Sequence, residues 1–200
     1  MASKTVISEK LKHLTDGAKS ESYTLEKLIT QLGENAYFLI VLILSVPFLQ
    51  PIPIPGLSTL FGFVMSVLGI AIMFNIAVPH PKFIVERKLP TNVLQIIFNT
   101  LSFILKKFEY LIRPRFTKIV DHHAVRFLSG VAIFISALIL MLPLPPGMNF
   151  PPALVCFILS LGLLEKDLYL IILGIFIFAF EAAMSILLAE WIYGFIYNLF

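Results

Sequence analysis

The sequence has few charged residues and a single cysteine, and each scarcity excludes a class of protein. Only 14% of the 200 residues are charged and 58% are hydrophobic, whereas a soluble domain is about a quarter charged and about 45–50% apolar. A chain this small cannot bury so much apolar surface in its own core, so we expect an integral membrane protein. Cys156 has no second cysteine to pair with, which excludes a disulfide framework.

The sequence also lacks the motifs of conventional enzymes. It has no Walker loop, no GxGxxG, no Ser-His-Asp order and no DxD. The adjacent pair His122 and His123 follows Asp121, but neighbouring side chains on a helix diverge by about 100°, and no further His or Cys cluster completes a tetrahedral metal site. We therefore expect a protein that is not an enzyme, with no catalytic residue, no metal and no cofactor.

Two long runs contain no charged residue, residues 36–78 and 127–164, and both are interrupted by proline and glycine. Proline lacks the backbone N–H and clashes with the preceding turn, so "PIPIPG" and "PLPPG" should each end a helix. Residues 36–50 would reach only about 22 Å as a helix, less than a hydrocarbon core of about 30 Å. Residues 127–142 form a second lead of similar length. We predict two proline-broken helical hairpins with re-entrant or deeply buried tips, and the alternative is a tight turn at the far membrane surface.

The two runs also resemble each other. When Gly56 is aligned with Gly147, the proline clusters coincide and "SVLGI" falls close to "LSLGL". This predicts an internal duplication, and membrane proteins built from repeats often have a binding site where the repeats meet. The candidate residues of such a broken-helix site are Pro53, Pro55, Gly56, Ser58, Thr59, Pro143, Pro145, Pro146, Gly147 and Asn149.

The remaining segments complete a single all-α domain. Residues 1–35 form an amphipathic helix region without a cleavable signal peptide, residues 79–126 a basic amphipathic linker, and residues 165–200 a membrane helix with an interfacial end. The linker holds nine of the fifteen Lys and Arg, so the amino terminus and the open ends of both hairpins should face the cytoplasm.

These basic residues admit two interpretations, a solvated signal for topology or contacts to anionic lipid head groups. The candidate lipid contacts are Lys106, Lys107, Arg113 and Arg115. A net charge of only +3, carried beside membrane segments, argues against nucleic-acid binding.

Three acidic residues lie in or next to apolar segments. Glu181 interrupts an apolar run at 168–189, and an ionisable group inside a membrane segment is a candidate site for a proton or a cation. The alternatives for Glu181 are an ion pair with a basic residue such as Arg126, or a dimer contact. Glu165 and Asp167 flank Lys166, and we expect them to form a solvated turn.

Several of these segments together resemble the ExoD family of bacterial exopolysaccharide-synthesis membrane proteins. The resemblance rests on "LGENAYFLIVLILSVPFLQPIPIPGLSTLFGF", "FEYLIRPRF" and "LPLPPGMNFPPALVCFILSLGLLEKDLYLIILG", and covers about residues 22–190. It implies a bacterial inner-membrane protein associated with surface polysaccharide and, in some members, with tolerance of alkaline conditions. It supplies no reaction. Asn35 stands where the family pattern commonly has arginine, so an ion pair made by that arginine would be absent or rebuilt.

Two functions therefore compete. The first is a non-catalytic membrane partner of the polysaccharide machinery, a homodimer in contact with membrane lipids and polysaccharide-synthesis proteins. The second is a small transporter or lipid-handling protein, with a site between the two hairpins and coupling to protons or cations.

Overall fold

The computed structural model describes residues 35–49, 56–76, 116–142 and 147–199, and every regular element in these ranges is helical. The elements are α1 (Asn35–Ser45) with a following 3-10 turn (Val46–Leu49), α2 (Leu57–Phe74), α3 (Thr117–Val120), α4 (His123–Met141), α5 (Phe150–Glu165) and α6 (Leu168–Leu199). The all-α prediction is confirmed for these residues. The predicted amphipathic region 1–35 and the predicted linker 79–126 lie outside them, except for residue 35 and residues 116–126.

Three of the described helices are long and apolar enough to cross a membrane, namely α2, α4 and the part of α6 from Leu168 to Leu188. The other two apolar helices are shorter: the 16 residues of α5 extend about 24 Å at about 1.5 Å per residue. The predicted short lead at 127–142 is wrong, because α4 starts at His123, where the backbone N–H of Ala124 donates to Nδ1 of His122. In the second hairpin the short helix follows the proline cluster instead of preceding it.

Helices α2 and α4 pack as a close antiparallel pair. A Cβ atom added to Gly130 would lie 2.5 Å from the backbone N of Met73 and 2.9 Å from the carbonyl oxygen of Gly69. Residues without a bulky side chain let two helix backbones approach in this way. The Thr59 hydroxyl lies 3.3 Å from the Met141 carbonyl at the start of α2, and Met73 meets α4 near its start, so the two helices run in opposite directions.

The bundle has two chemically different ends. At the charged end, Arg126 donates to Oδ1 of Asn75 at 3.0 Å and Lys166 pairs with Asp121 at 2.7 Å. The Arg126 guanidinium also lies 5.9 Å from the centre of the Phe38 ring, so α1, α4 and α6 begin at this end and α2 and α5 finish there. The proline end is the opposite one, where α2 begins and α4 finishes. The open ends of both hairpins thus lie at the charged end, and the common origin of the hairpins by duplication stays a prediction.

The most buried helices are the short ones, α1 and α5. They pack against each other, and α5 has twelve buried residues. By contrast, only 17% of the Leu168–Leu188 stretch of α6 is buried. Its outer face exposes Ile172, Phe176, Phe180 and Leu187. Such a continuous apolar face is typical of a helix surrounded by an apolar medium or covered by another chain.

Candidate functional site

Glu181 lies in the interior of the bundle and is only 2% exposed. Its Oε2 accepts a 2.6 Å hydrogen bond from the Ser136 hydroxyl on α4. Its Oε1 is buried and has no hydrogen-bond partner among the described residues. The described partner of Glu181 is therefore a neutral hydroxyl and not Arg126, the basic residue of the alternative ion pair, which lies about 15 Å from Ser136 along α4.

A glycine on α6 lets the part of the helix that carries Glu181 approach the interior of the bundle. Gly174 lies two turns before Glu181 on the same face of α6, and a Cβ added there would lie 2.5 Å from Cδ2 of Leu159 on α5. The close approach of α6 to α5 carries the carboxyl group towards the buried stripe of α4, which includes Ser129, Ala132 and Ser136. The charge in an apolar run predicted Glu181 as a candidate, but nothing in the sequence singled out Ser136.

Most other buried hydroxyls are satisfied within their own helices. Ser45 bonds to the Leu42 carbonyl at 2.7 Å, and Ser160 to the Cys156 carbonyl at 2.6 Å. Ser129 differs, because its hydroxyl is fully buried and no described group bonds to it. A carboxyl group with one anchored and one unpartnered oxygen can hold a proton or a small cation. Within the described ranges no three His, Cys, Asp or Glu side chains are grouped to hold a metal ion.

The described part of the predicted broken-helix site lies at the proline end. Gly56 and Gly147 have φ of +79° and +90°, a conformation that favours glycine, and each precedes a helix. Thr59 reaches Met141, Ser58 is half-buried, and the buried Oδ1 of Asn149 has no partner among the described residues. The five candidate prolines and the four candidate lipid contacts lie outside the described residues: Pro53, Pro55, Pro143, Pro145, Pro146, Lys106, Lys107, Arg113 and Arg115. The re-entrant tips stay a prediction.

The predicted solvated turn at Glu165 and Asp167 is wrong, because both side chains are fully buried. Only Lys166 and Asp167 lie between α5 and α6, and Lys166 takes a left-handed conformation with φ of 55°. At this corner a Cβ on Gly162 would lie 3.0 Å from the backbone N of Ile171, so α6 folds directly back onto α5. This tight corner encloses the two carboxyl groups and leaves Lys166 partly exposed.

Asp167 caps α6, and its replacement is expected to destabilise the corner. Its Oδ1 accepts a 3.0 Å hydrogen bond from the backbone N–H of Tyr169. Losing such a cap lowers the free energy of unfolding by about 0.5–2 kcal/mol. We expect Asp167→Ala to lower the thermal unfolding midpoint in detergent more than Asp121→Ala, which breaks only the half-exposed pair with Lys166. Equal shifts in the two variants would contradict the capping role.

The fold and these contacts define a class: an α-helical protein with three apolar helices long enough for a membrane and a carboxyl group held in its interior. The family model described as "Exopolysaccharide synthesis, ExoD" matches residues 7–187. The chain belongs to the ExoD family, which confirms the resemblance seen in the sequence.

Two curated relatives are similar to this chain. The protein ExoD of Rhizobium meliloti (strain 1021) is 29% identical over 163 residues, which cover 80% of this chain and 68% of the relative. The uncharacterized protein slr1875 of Synechocystis sp. is 29% identical over 150 residues, 74% of this chain and 70% of the relative. No solved structure matches the chain significantly.

Proposed function

We propose that this chain is an integral protein of the bacterial inner membrane that takes part in exopolysaccharide synthesis as a non-catalytic partner of the polysaccharide machinery. The observation that carries the proposal is the family match over residues 7–187. The three apolar helices support the membrane location.

Burial supports the non-catalytic role. The Ser136 hydroxyl and the Glu181 carboxyl group form a 2.6 Å hydrogen bond, and the two residues are 0% and 2% exposed. A general base has to lie within hydrogen-bond reach of the proton that it removes. Because neither side chain is accessible at the surface of the described residues, a bulky saccharide cannot come that close to the pair. The pair is placed to respond to a proton or a small ion instead of to a sugar.

The charges support one orientation. Lys118, Arg126 and Lys166 all lie at or near the charged end of the bundle. Positive residues mark the cytoplasmic side of membrane proteins. The charged end and the amino terminus would then face the cytoplasm, and the proline end would face the opposite side of the membrane.

The outer face of α6 supports contact with membrane lipids. Phe176 and Phe180 are 72% and 62% exposed, and their neighbours on this face are apolar as well. Lipid tails would cover such a face, and a second copy of the chain or a polysaccharide-synthesis protein would cover it equally well. The homodimer and the protein partners stay predictions.

Deleting the gene in a polysaccharide-producing bacterium tests the proposed role. We expect the amount of secreted polysaccharide, measured as carbohydrate in the culture supernatant, to fall and to return when the intact gene is supplied on a plasmid. An empty plasmid is the control. A deletion strain that secretes normal amounts would contradict a role in synthesis.

One contact favours a second function, a small transport or lipid-handling activity coupled to protons. The unpartnered Oε1 of Glu181 is an acceptor in a buried apolar setting, where it would bind a proton or a small cation. This activity would also connect the protein with alkaline conditions, since the proton concentration would set the state of Glu181. Replacing Glu181 with glutamine tests whether Glu181 has this function or is only a structural contact, because glutamine keeps the hydrogen-bond acceptor but cannot gain or lose a proton.

A further inference from the structure

We propose that Glu181 exchanges protons with the charged end of the bundle alone, along a polar strip on α4 and α5, and that the interior between Glu181 and the proline end is an apolar seal. The inference rests on the second function proposed above, in which Glu181 binds a proton. It adds the side from which the proton arrives.

The distance of the Glu181 carboxyl group from the charged end can be measured along two helices independently. Helices α4 and α6 both begin at the charged end, and about 20 Å of helix separates Ser136 and Glu181 from those beginnings. The 2.6 Å hydrogen bond between the two side chains fits this common depth. Glu181 therefore lies far inside the bundle, beyond its middle as measured from the charged end.

The buried polar side chains lie on one side of this level. The described residues of this kind are Ser45, Ser66, Ser129, Ser136, Ser160, Glu165, Asp167 and Glu181. Counted along their helices at about 1.5 Å per residue, all lie at the level of Glu181 or between it and the charged end. Polar groups that can bind water or a proton therefore lie between Glu181 and the charged end.

On the other side of the level, the fully buried side chains of the described residues are apolar. Ala137 and Leu140 continue the buried face of α4 towards the proline end, and both are fully buried. Phe48, 5% exposed, packs edge-on against Phe61 with ring centres 5.9 Å apart. The half-buried Ser58 and Asn149 are described polar residues on this side, and both lie at the proline end itself, in the first turn of α2 and before α5 begins. These packed side chains separate Glu181 from that end.

Ser129 is the first buried polar group of α4 that a proton from the charged end would meet. It lies three residues after Arg126 and seven before Ser136, so the three share one helix face. Its hydroxyl is fully buried and unpartnered in the described part of the chain. A buried hydroxyl without a partner is unfavourable, and water that enters from the charged end would satisfy it.

Cys156 marks the contact between α5 and α4 along this strip. Its Sγ lies 3.8 Å from the Ile133 carbonyl, midway between Ser129 and Ser136. About 10 Å of helix separates Ser129 from Ser136, which is too far for a direct hydrogen bond. Water molecules therefore have to carry the proton between the two serines. The transfer itself is simple: a hydronium ion gives its proton to Oε1, the carboxylate becomes a carboxylic acid, and Ser136 continues to donate to Oε2.

Few other titratable groups face this strip. Those described on α3, α4 and α5, which pack against α6, and between α3 and α4 are Cys156, Glu165, His122, His123, Arg126, Lys118 and Asp121. Cys156 is the one that lies in the interior near Glu181, and the others lie at or close to the charged end. The pH at the charged end therefore reaches Glu181 without an intervening described carboxyl group deeper in the bundle.

One-sided acidification of vesicles tests the inference with the intact protein. Dicyclohexylcarbodiimide enters membranes and reacts with protonated carboxyl groups, and mass spectrometry of the Glu181 peptide gives the initial labelling rate. A Lys166→Cys protein in a Cys156→Ala background would be reconstituted in both orientations into phosphatidylethanolamine and phosphatidylglycerol vesicles. After external acidification, a membrane-impermeant biotin maleimide captures the molecules whose charged end faces outward.

We expect acidification by one pH unit to raise the labelling rate of the captured molecules by up to about tenfold, and to leave the rate of the uncaptured molecules unchanged. An equal rise in both fractions, or a rise in the uncaptured fraction alone, would overturn one-sided access. Absence of labelling at every pH would overturn protonation of Glu181 itself. Loss of polysaccharide in the deletion strain is a separate readout and would stand in either case.

Two serine variants test the path. Ser129→Ala removes the unpartnered hydroxyl and is expected to slow labelling from the charged end severalfold. Ser160→Ala is the matched control, because that buried hydroxyl already bonds to carbonyl oxygens of its own helix. Equal rates in the Ser129→Ala protein and the wild type would overturn the strip along α4. The vesicle experiment does not depend on either variant.

Discussion

A Glu181→Gln protein is expected to fold like the wild type but to leave the secreted exopolysaccharide of the deletion strain as low as with the empty plasmid. The glutamine side chain has nearly the same volume, and its oxygen can still accept the hydrogen bond from Ser136. Unlike the carboxyl group, it cannot gain or lose a proton. The measurement is secreted carbohydrate from the deletion strain supplied with the variant gene, together with the amount of protein in the membrane fraction.

Glu190→Gln is the matched control for this exchange. Glu190 lies on the same helix and its side chain is exposed, so the same chemical change occurs outside the interior. We expect this variant to restore wild-type amounts of polysaccharide. If Glu181→Gln also restores them across a range of external pH, then Glu181 is only a structural contact.

A Gly130→Ala exchange is expected to cause the largest loss of stability among the glycine-to-alanine exchanges in the described helices. The new Cβ would lie 2.5 Å and 2.7 Å from the backbone N and Cα of Met73, and backbone atoms cannot rotate away as side chains can. Overpacking of this kind costs about 1–3 kcal/mol and occasionally more. That cost exceeds the gain of about 1 kcal/mol that alanine brings to a helix interior. Thermal unfolding in detergent, followed by loss of the monodisperse elution peak, would show a lower midpoint.

Gly174→Ala provides the comparison. Its Cβ would meet Cδ2 and Cγ of Leu159 at 2.5 Å and 2.7 Å, which belong to a flexible side chain, and helix propensity changes in the same way. We expect a clearly smaller change in the unfolding midpoint than for Gly130→Ala. Equal midpoints for the two variants would show that α2 and α4 separate easily.

The sequence predicted the helical class and the most unusual residue of the site. A carboxyl group within an apolar run is conspicuous, so Glu181 could be named from the sequence alone. Its partner could not, since serines occur throughout the apolar helices and most of them bond to their own backbone. Which serine faces Glu181 depends on how α6 packs, and that is a property of the three-dimensional fold.

The errors at the charged end have a similar origin. The "EKD" sequence has the composition of an exposed turn, yet Glu165 and Asp167 are enclosed because α6 turns back onto α5 after only two residues. The start of α4 was placed too late because the capping by His122 depends on local geometry that charge patterns do not reveal. In both places the contacts at a helix end overrode the composition of the segment: enclosure by α6 at Glu165 and Asp167, and a local cap at His122.

The contact at Gly130 has a mechanical consequence. Helix α2 belongs to the first hairpin and α4 to the second, so the close backbone approach at Gly130 and Gly69 joins one hairpin to the other. Two helices in backbone contact cannot tilt against each other without a steric clash, so α2 and α4 are expected to move as one rigid unit. We therefore expect water to reach Glu181 where α5 and α6 meet this pair, because the described contacts there are made by the side chains of Cys156, Ser136 and Glu181.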